Sequence, residues 1–361
     1  MKLAWKEIKH SKNKYLLIEL ILVLMIFMVI FLSGLANGLA RAVSAAIENV
    51  DATHFILSEN SEDLITLSTL DEKQLDEIKQ ATSDPVAALN IQRMNLNLKG
   101  TDNKLDVAYF AIQPDEFLNP QVMEGDRLTT EANTIVLDDA FLEEGIKLGD
   151  TVVDSASGNE LKVVGFTKDA MYGHVSAGYI SFDTYNTLRS SLNPSYQPLY
   201  QAVAIQAKDA QSLNLTGLEQ IDKQTIVEHI PGYSAEQTTI RMILWVLVVI
   251  SGAILGVFFY VITIQKQKQF GVMKAIGMRM SEIAGLIISQ IAFLAVFGVA
   301  IGNLLAYLMA MGLPNSMPFY LKTTDDLMVS VAFIIISILC GLLSTAKIAK
   351  VDPLITIGGN E

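Results

Sequence analysis

Met242-Ile-Leu-Trp-Val-Leu-Val-Val-Ile-Ser-Gly-Ala-Ile-Leu-Gly-Val-Phe-Phe-Tyr-Val-Ile-Thr-Ile264 runs for 23 residues without a formal charge. A helix needs about 20 predominantly apolar residues to cross the hydrocarbon core of a bilayer. Buried helices of soluble proteins rarely run this long without a charge. Three further stretches read the same way. Leu16–Ala36 is interrupted only by Glu19, Ser33 and Gly34, Ile283–Met311 has Ser289, Gln290 and Asn303 as its notable polar residues, and Leu327–Ala346 is uncharged. These four blocks account for a chain that is 51% hydrophobic and only 18% charged, against about 25% charged in soluble domains. The first block exceeds the roughly 7–15 apolar residues of a signal-peptide core, and three more spans follow it, so it is expected to remain as a span.

Charge orients the spans. Lys2, Lys6, Lys9, Lys12 and Lys14 precede the first span against Glu7 alone. Lys266, Lys268, Lys274 and Arg279 lie between the second and third spans against Glu282, and Lys347 and Lys350 follow the fourth. Short basic segments face the cytoplasm, so both termini are expected there, in a multi-pass protein of the cell membrane. Ala42–Ala235 carries 30 acidic and 12 basic residues, a net of −18, while the remainder holds 14 basic and 8 acidic residues, a net of +6. The overall −12 therefore comes from one acidic segment outside, a surface unsuited to nucleic acid. The single cysteine, Cys340, sits in the fourth span, where a small apolar role suffices.

The expected organisation is a cytoplasmic amphipathic helix over residues 1–14, a first span over 15–40, and an extracytoplasmic domain over 41–236. A second span over 238–264, a cytoplasmic segment over 265–282 and a third span over 283–311 follow. An outer loop over 312–326, a fourth span over 327–347 and a cytoplasmic tail over 348–361 complete the chain. The outer domain has mixed α/β texture. Leu75 and Ile78 have helical spacing within Glu72–Gln80, and Asn95–Leu98 alternates as a strand does. Thr134–Leu137, Gly178–Phe182 and Ala202–Ile205 are strand-like, and Thr151–Gly165 reads as a hairpin turning at Ser155–Gly158. One domain or two small lobes both fit these patterns. Gly34…Gly38 and Gly298…Gly302 are G-x-x-x-G spacings, which permit close helix approach in lipid.

No phosphate-cradling G-x-x-x-x-G-K-[ST], nucleophile elbow or H-E-x-x-H occurs. The chain is therefore expected to be no enzyme, with energy supplied by another protein. Between the second and third spans, Phe270, Val272, Met273 and Ile276 make a short apolar face beside Lys274 and Arg279. A coupling helix seated in a groove of a cytoplasmic partner and a loop lying on the membrane fit this pattern equally.

Phe270-Gly-Val-Met-Lys-Ala-Ile-Gly277 resembles the G-x-x-K/R-A-I/L-G signature of MacB/FtsX-type ABC permeases. Lys350–Gly359 resembles that family's tail, with Thr356 where alanine is usual. Gly145–Asp150 with Leu161–Gly165 resembles its periplasmic domain. The resemblance covers essentially the whole chain. It implies four transmembrane α-helices with a large mixed α/β extracytoplasmic domain inserted between the first and second, as in type VII ABC permeases. It also implies a homodimer working with a separate cytoplasmic ABC ATPase that carries the Mg-ATP chemistry. Phe270, Gly271, Met273, Lys274, Ala275, Ile276 and Gly277 would then form the ATPase-coupling segment.

Phe259–Lys266, Met317–Leu321, Asp169–His174, Tyr233–Gln237 and the Ile357-Gly-Gly359 ending further resemble the haem-efflux permeases of Gram-positive bacteria (the HrtB type). That implies export of haem or a related toxic amphiphile, with haem as substrate rather than resident cofactor and no metal site. Tyrosine, histidine, methionine and carboxylate groups are feasible haem-iron ligands or neighbours. Tyr233 and Glu236 stand at the outer mouth of the second span, one turn apart if its helix starts early. An interface-belt tyrosine would read the same way. Met25 and Met28, three apart in the first span, offer thioethers, although packing explains them as well. Tyr172, between Met171 and His174, belongs either to a solvated loop or to a cap over an exit path. Two other functions share this topology: a non-transporting, FtsX-like regulator of a cell-wall hydrolase, and an exporter conferring resistance to antimicrobial peptides.

Overall fold

The computed structural model describes residues 12–207, 213, 215–313 and 317–348. It forms two compact units, Met1–Gly38 with Thr238–Glu361, and Leu39–Gln237. The expected helix over residues 1–14 lies outside the described residues as far as Ser11, and Lys12–Lys14 already belong to the first long helix. The tail beyond Ile348 lies outside them too.

Helix α1 (Lys12–Glu48) is the first element among the described residues. The inserted domain then runs β1 (His54–Ser58), α2 (Glu72–Ala81), β2 (Val86–Leu98), β3 (Leu105–Ile112), β4 (Val122–Gly125), β5 (Thr134–Asp138) and α3 (Ala140–Glu143). It continues with β6 (Thr151–Asp154), β7 (Glu160–Thr167), β8 (Met171–Tyr172), β9 (Val175–Ser181), α4 (Phe182–Leu192), β10 (Ala202–Ile205), β11 (Leu218–Asp222) and α5 (Lys223–His229). Four helices follow: α6 (Tyr233–Gln265), α7 (Gln267–Ala275), α8 (Met280–Ala310) and α9 (Thr323–Ile348).

Among the described residues the inserted domain is built on one 11-stranded mixed sheet in the order β11-β1-β10-β2-β3-β9-β5-β7-β4, with β6 pairing β2 and β7, and β8 pairing β9. The sheet lies within the single compact unit Leu39–Gln237. The long strand β2 makes the sheet continuous, pairing with β10 through Val86–Leu89 and with β3 through Asn90–Leu96. Asn90 marks the change of partner. Its amide donates to Leu199 O at 2.7 Å and its carbonyl accepts from Gln201 N at 2.7 Å. Side chains alternate between faces with the two-residue period of a strand. Ala108, Phe110 and Ile112 enter one buried cluster, and Val107, Tyr109 and Ala111 enter the other. A sheet covered on both faces reads as nearly continuous apolar sequence, so clean alternation is confined to its ends. Asn95–Leu98 is such an end, whereas β3 is buried throughout Val107–Ile112.

Among the described residues, four helices are long and apolar enough to cross a bilayer. Small residues set their contacts, as expected where lipid removes the hydrophobic drive between helices. A Cβ at Gly302 of α8 would lie 2.1 Å from Ile26 of α1, and one at Gly298 would lie 3.2 Å from Leu22. The second G-x-x-x-G behaves differently from a helix-contact motif. Gly34 and Gly38 of α1 receive the non-helical Pro318–Leu321 segment. Cys340 of α9 reaches the carbonyl of Gly252 on α6 at 3.4 Å. The faces of α6 and α8 that carry Trp245, Val249 and Leu304 stay apolar and exposed, at 66%, 66% and 58%.

Candidate functional site: the start of α6 and the coupling segment

Helix α6 begins at Tyr233, well before the uncharged run that starts at Met242. Its first turn is set by Gly232, whose φ of +93° is a left-handed conformation suited to glycine. Tyr233 and Glu236 are therefore one turn apart on this helix. Tyr233 is half-buried and packs against the core of the inserted domain. Glu236 points to His174: Nε2 and Oε1 are 2.9 Å apart, with side chains 45% and 36% exposed. The other carboxylate oxygen of Glu236 is buried without a hydrogen-bond partner.

A tight hairpin delivers His174. Strands β8 and β9 pair Tyr172 with Val175, leaving Gly173 and His174 as a two-residue loop with φ of +56° and +63°. This is the geometry in which both central residues must accept positive φ. The strain at His174, of order 1–3 kcal/mol for a non-glycine residue, is opposed by two backbone bonds. Gly173 N donates to Val43 O and His174 N to Ala42 O, both at 2.9 Å. Below the hairpin, Arg41 faces Asp169 at 3.5 Å, and Asn49 donates to the Asp169 carbonyl at 2.8 Å.

Tyr172 does not face solvent. It is 6% exposed and meets Phe110 edge-on, with ring centroids 5.8 Å apart. Burial pushes its hydroxyl up to about 12, opposed by the charge of Arg93. Its place is under the hairpin rather than at an opening. Met25 packs at the edge of the membrane-unit core, whereas Met28 is 45% exposed, so the two thioethers turn to different surroundings. His174 is not among the expected binding residues, because only the hairpin turn and a contact 62 positions away bring it to Glu236. No group of three or more histidine, cysteine or acidic residues poised for a metal occurs among the described residues.

The inserted domain also holds a cavity of about 690 Å³, lined by residues including Asp51, Phe117, Asn119, Arg127, Lys168 and Tyr179. Beside it, Asp138 accepts hydrogen bonds from Ala170 N, Ala140 N and Ser176 Oγ at 2.7–3.2 Å. Burial outweighs these bonds and raises its carboxyl to about 6.

In α7, the segment expected to couple to a partner, the single apolar face is divided. Phe270 is 4% exposed and Gly271 is buried, while Met273 packs at the edge of the membrane-unit core. Val272 and Ile276 project, 51% and 78% exposed. Lys274 and Ala275 are exposed at the end of α7. Gly277 closes the helix at φ +99°, its N–H donating to Lys274 O while that of Met278 donates to Met273 O, a glycine C-cap. Arg279 then starts α8, its N–H held by Glu282 at 2.8 Å.

Comparison with known proteins bears on the whole chain. Residues 16–217 match the MacB-like periplasmic core domain, and residues 241–353 match the FtsX-like permease C-terminal domain. Proteins provisionally named hemin transport system permease protein HrtB align over the full length of both chains, at 31% identity for Staphylococcus haemolyticus and 30% for Staphylococcus epidermidis. The crystal structure of the extracellular domain of the noncanonic ABC-type transporter YknZ, from Gram-positive bacteria, covers 44% of this chain and 84% of its own at TM-score 0.32 and 15% identity. With both domain models matched in order and relatives aligned end to end, the chain belongs to the family of FtsX-like ABC transporter permeases that carry a MacB-like periplasmic core domain.

Proposed function

We propose that this permease exports haem, or a closely related amphiphile, from the membrane, as one half of a homodimer driven by a separate cytoplasmic ABC ATPase. The observation that carries the reading is the meeting of His174 and Glu236 at 2.9 Å, one turn from Tyr233. Phenolate, imidazole and carboxylate groups are iron ligands or neighbours of ligands, and here they gather where a span begins. The full-length likeness to proteins named for hemin transport supports the same substrate. In this reading Tyr233 and Glu236 bind the substrate, the exposed Met28 borders its path within the bilayer while Met25 packs at the membrane-unit core, and Tyr172 supports the hairpin carrying His174. The amphiphile enters sideways from the lipid. Both termini and the α7 segment face the cytoplasm, where Val272 and Ile276 dock into the ATPase and Phe270 anchors α7 to the spans. ATP binding draws the two ATPases together, and α7 passes the motion to α6.

The test is a haemin titration of the purified permease followed through the Soret band. A shift that Tyr233→Ala and Glu236→Ala each weaken supports the reading. Absence of a shift in the wild type and in its ATPase complex overturns haem as substrate and leaves the permease assignment intact. The net charge of −18 over Ala42–Ala235 favours cationic antimicrobial peptides as the alternative cargo. Peptide-stimulated ATP hydrolysis without a haemin response would select it.

A further inference from the structure

Glu19 lies inside the first span, four residues beyond Tyr15 and so on the same helical face. Both of its carboxylate oxygens are buried, and neither has a hydrogen-bond partner among the described residues. Gly298 of α8 lies beside it: a Cβ there would stand in van der Waals contact with Glu19 Oε1, at 3.5 Å. A sealed, unpartnered carboxylate in a span is costly, and such groups mark sites at which another arrangement supplies the partner.

One turn nearer the start of α1 that partner is in view. Lys266 closes α6 and immediately precedes α7. Its ammonium donates to Tyr15 Oη at 2.5 Å and to Gln290 Oε1 at 3.2 Å, and stands 5.1 Å from the centre of the Tyr15 ring. Tyr15 in turn donates to Gln290 at 3.1 Å. The contacts Tyr15–Gln290, Leu22–Gly298 and Ile26–Gly302 advance together along α1 and α8, so these two helices run parallel and pack closely. Lys266 meets the start of α1 from the end of α6, so α6 runs the other way. An outward slide of α6 by one turn, about 5.4 Å, carries Lys266 from the level of Tyr15 to that of Glu19.

We propose that Lys266 and Glu19 form a two-position charge switch. Lys266 rests on Tyr15 and Gln290 in the arrangement seen here, and pairs with Glu19 when nucleotide-driven movement of α7 displaces α6. Glu19 is thus a positioning residue for coupling rather than a substrate ligand. The inference rests on the reading of α7 as the segment that the ATPase moves.

The test uses the permease–ATPase complex in liposomes, in a Cys340→Ser background. The pairs Tyr15→Cys/Lys266→Cys and Glu19→Cys/Lys266→Cys are cross-linked with and without vanadate-trapped nucleotide. The first pair is expected to link faster without nucleotide and the second faster in the trapped state, each by on the order of tenfold. Equal rates in both states overturn the switch. Glu19→Gln and Lys266→Met should each lower substrate-stimulated hydrolysis on the order of tenfold, with the double variant no worse than either. The exchange Glu19→Lys/Lys266→Glu should restore part of the loss. A purely structural Glu19 would reduce folded protein yet leave cross-linking indifferent to nucleotide. If the wild-type complex shows no substrate-stimulated hydrolysis, the coupling reading fails, whatever the cross-links report.

Discussion

His174 and Glu236, 62 positions apart in the chain, meet at 2.9 Å because a two-residue turn forces the histidine outward and a left-handed glycine starts the helix that carries the glutamate. The pair is partly exposed, so its stabilising contribution is small, about 0–1 kcal/mol. Removing the ring should therefore leave the fold intact. His174→Asn is the clean substitution, because asparagine tolerates the left-handed conformation of this turn. Unchanged thermal unfolding with haemin affinity lowered about tenfold, equivalent to ~1.4 kcal/mol, is the expected result by calorimetry and Soret titration. Gly232→Val should lower affinity as well, since a β-branched residue is strained at φ +93° and would shift the turn that starts α6.

Phe270 and Ile276 lie on one short segment and should behave oppositely. Phe270 is 4% exposed, so Phe270→Ala leaves a cavity and costs about 3–5 kcal/mol, visible as a lower melting temperature. Ile276 is 78% exposed, so Ile276→Asp should leave melting unchanged while weakening co-purification with the ATPase. Gly277→Val, at φ +99°, should express normally yet lose substrate-stimulated ATP hydrolysis.

Gly34 and Gly38 face the same segment with different tolerance. A Cβ at Gly34 meets the Phe319 ring at 2.6 Å, a side chain that can turn aside, whereas one at Gly38 meets the Pro318 carbonyl at 2.2 Å. Gly38→Ala should therefore lower the melting temperature of the detergent-solubilised permease more than Gly34→Ala. The reverse order would contradict the described packing of residues 317–321.

Asp138 gives the inserted domain a pH dependence. Its carboxyl, raised by burial to about 6 from 3.8, holds its proton more tightly in the folded than in the unfolded state. The stability it contributes is complete below about pH 4 and is lost as pH rises through 6, roughly 3 kcal/mol in all. Urea midpoints of the full chain, followed by far-UV circular dichroism, should fall between pH 4.5 and 7. Asp138→Asn should flatten that slope.

Much of the fold is legible in local sequence. The capping box of α2, with Asp71 N donating to Gln74 Oε1 and Gln74 N donating to Asp71 Oδ1, accompanies the Leu75/Ile78 spacing. The β6–β7 hairpin turns through Gly158 at φ +73°, where the glycine pointed. Strands β1, β3, β4, β8 and β11 escaped notice, the first two because burial on both faces erases their alternation. The divided face of α7 also escaped notice, since composition counts Phe270 and Ile276 alike and only packing separates them.

The four spans were determined by the sequence alone, because a helix in lipid satisfies its backbone internally and needs only a sufficient apolar run. The acidic character of the inserted segment was likewise settled by composition. Tertiary structure decided which polar groups meet. His174 beside Glu236, Lys266 on Tyr15 and Gln290, and Tyr172 turned under its hairpin all depend on contacts between distant parts of the chain. Such contacts leave no periodic trace in sequence, since their geometry is fixed by the packing of whole elements rather than by the residues beside them.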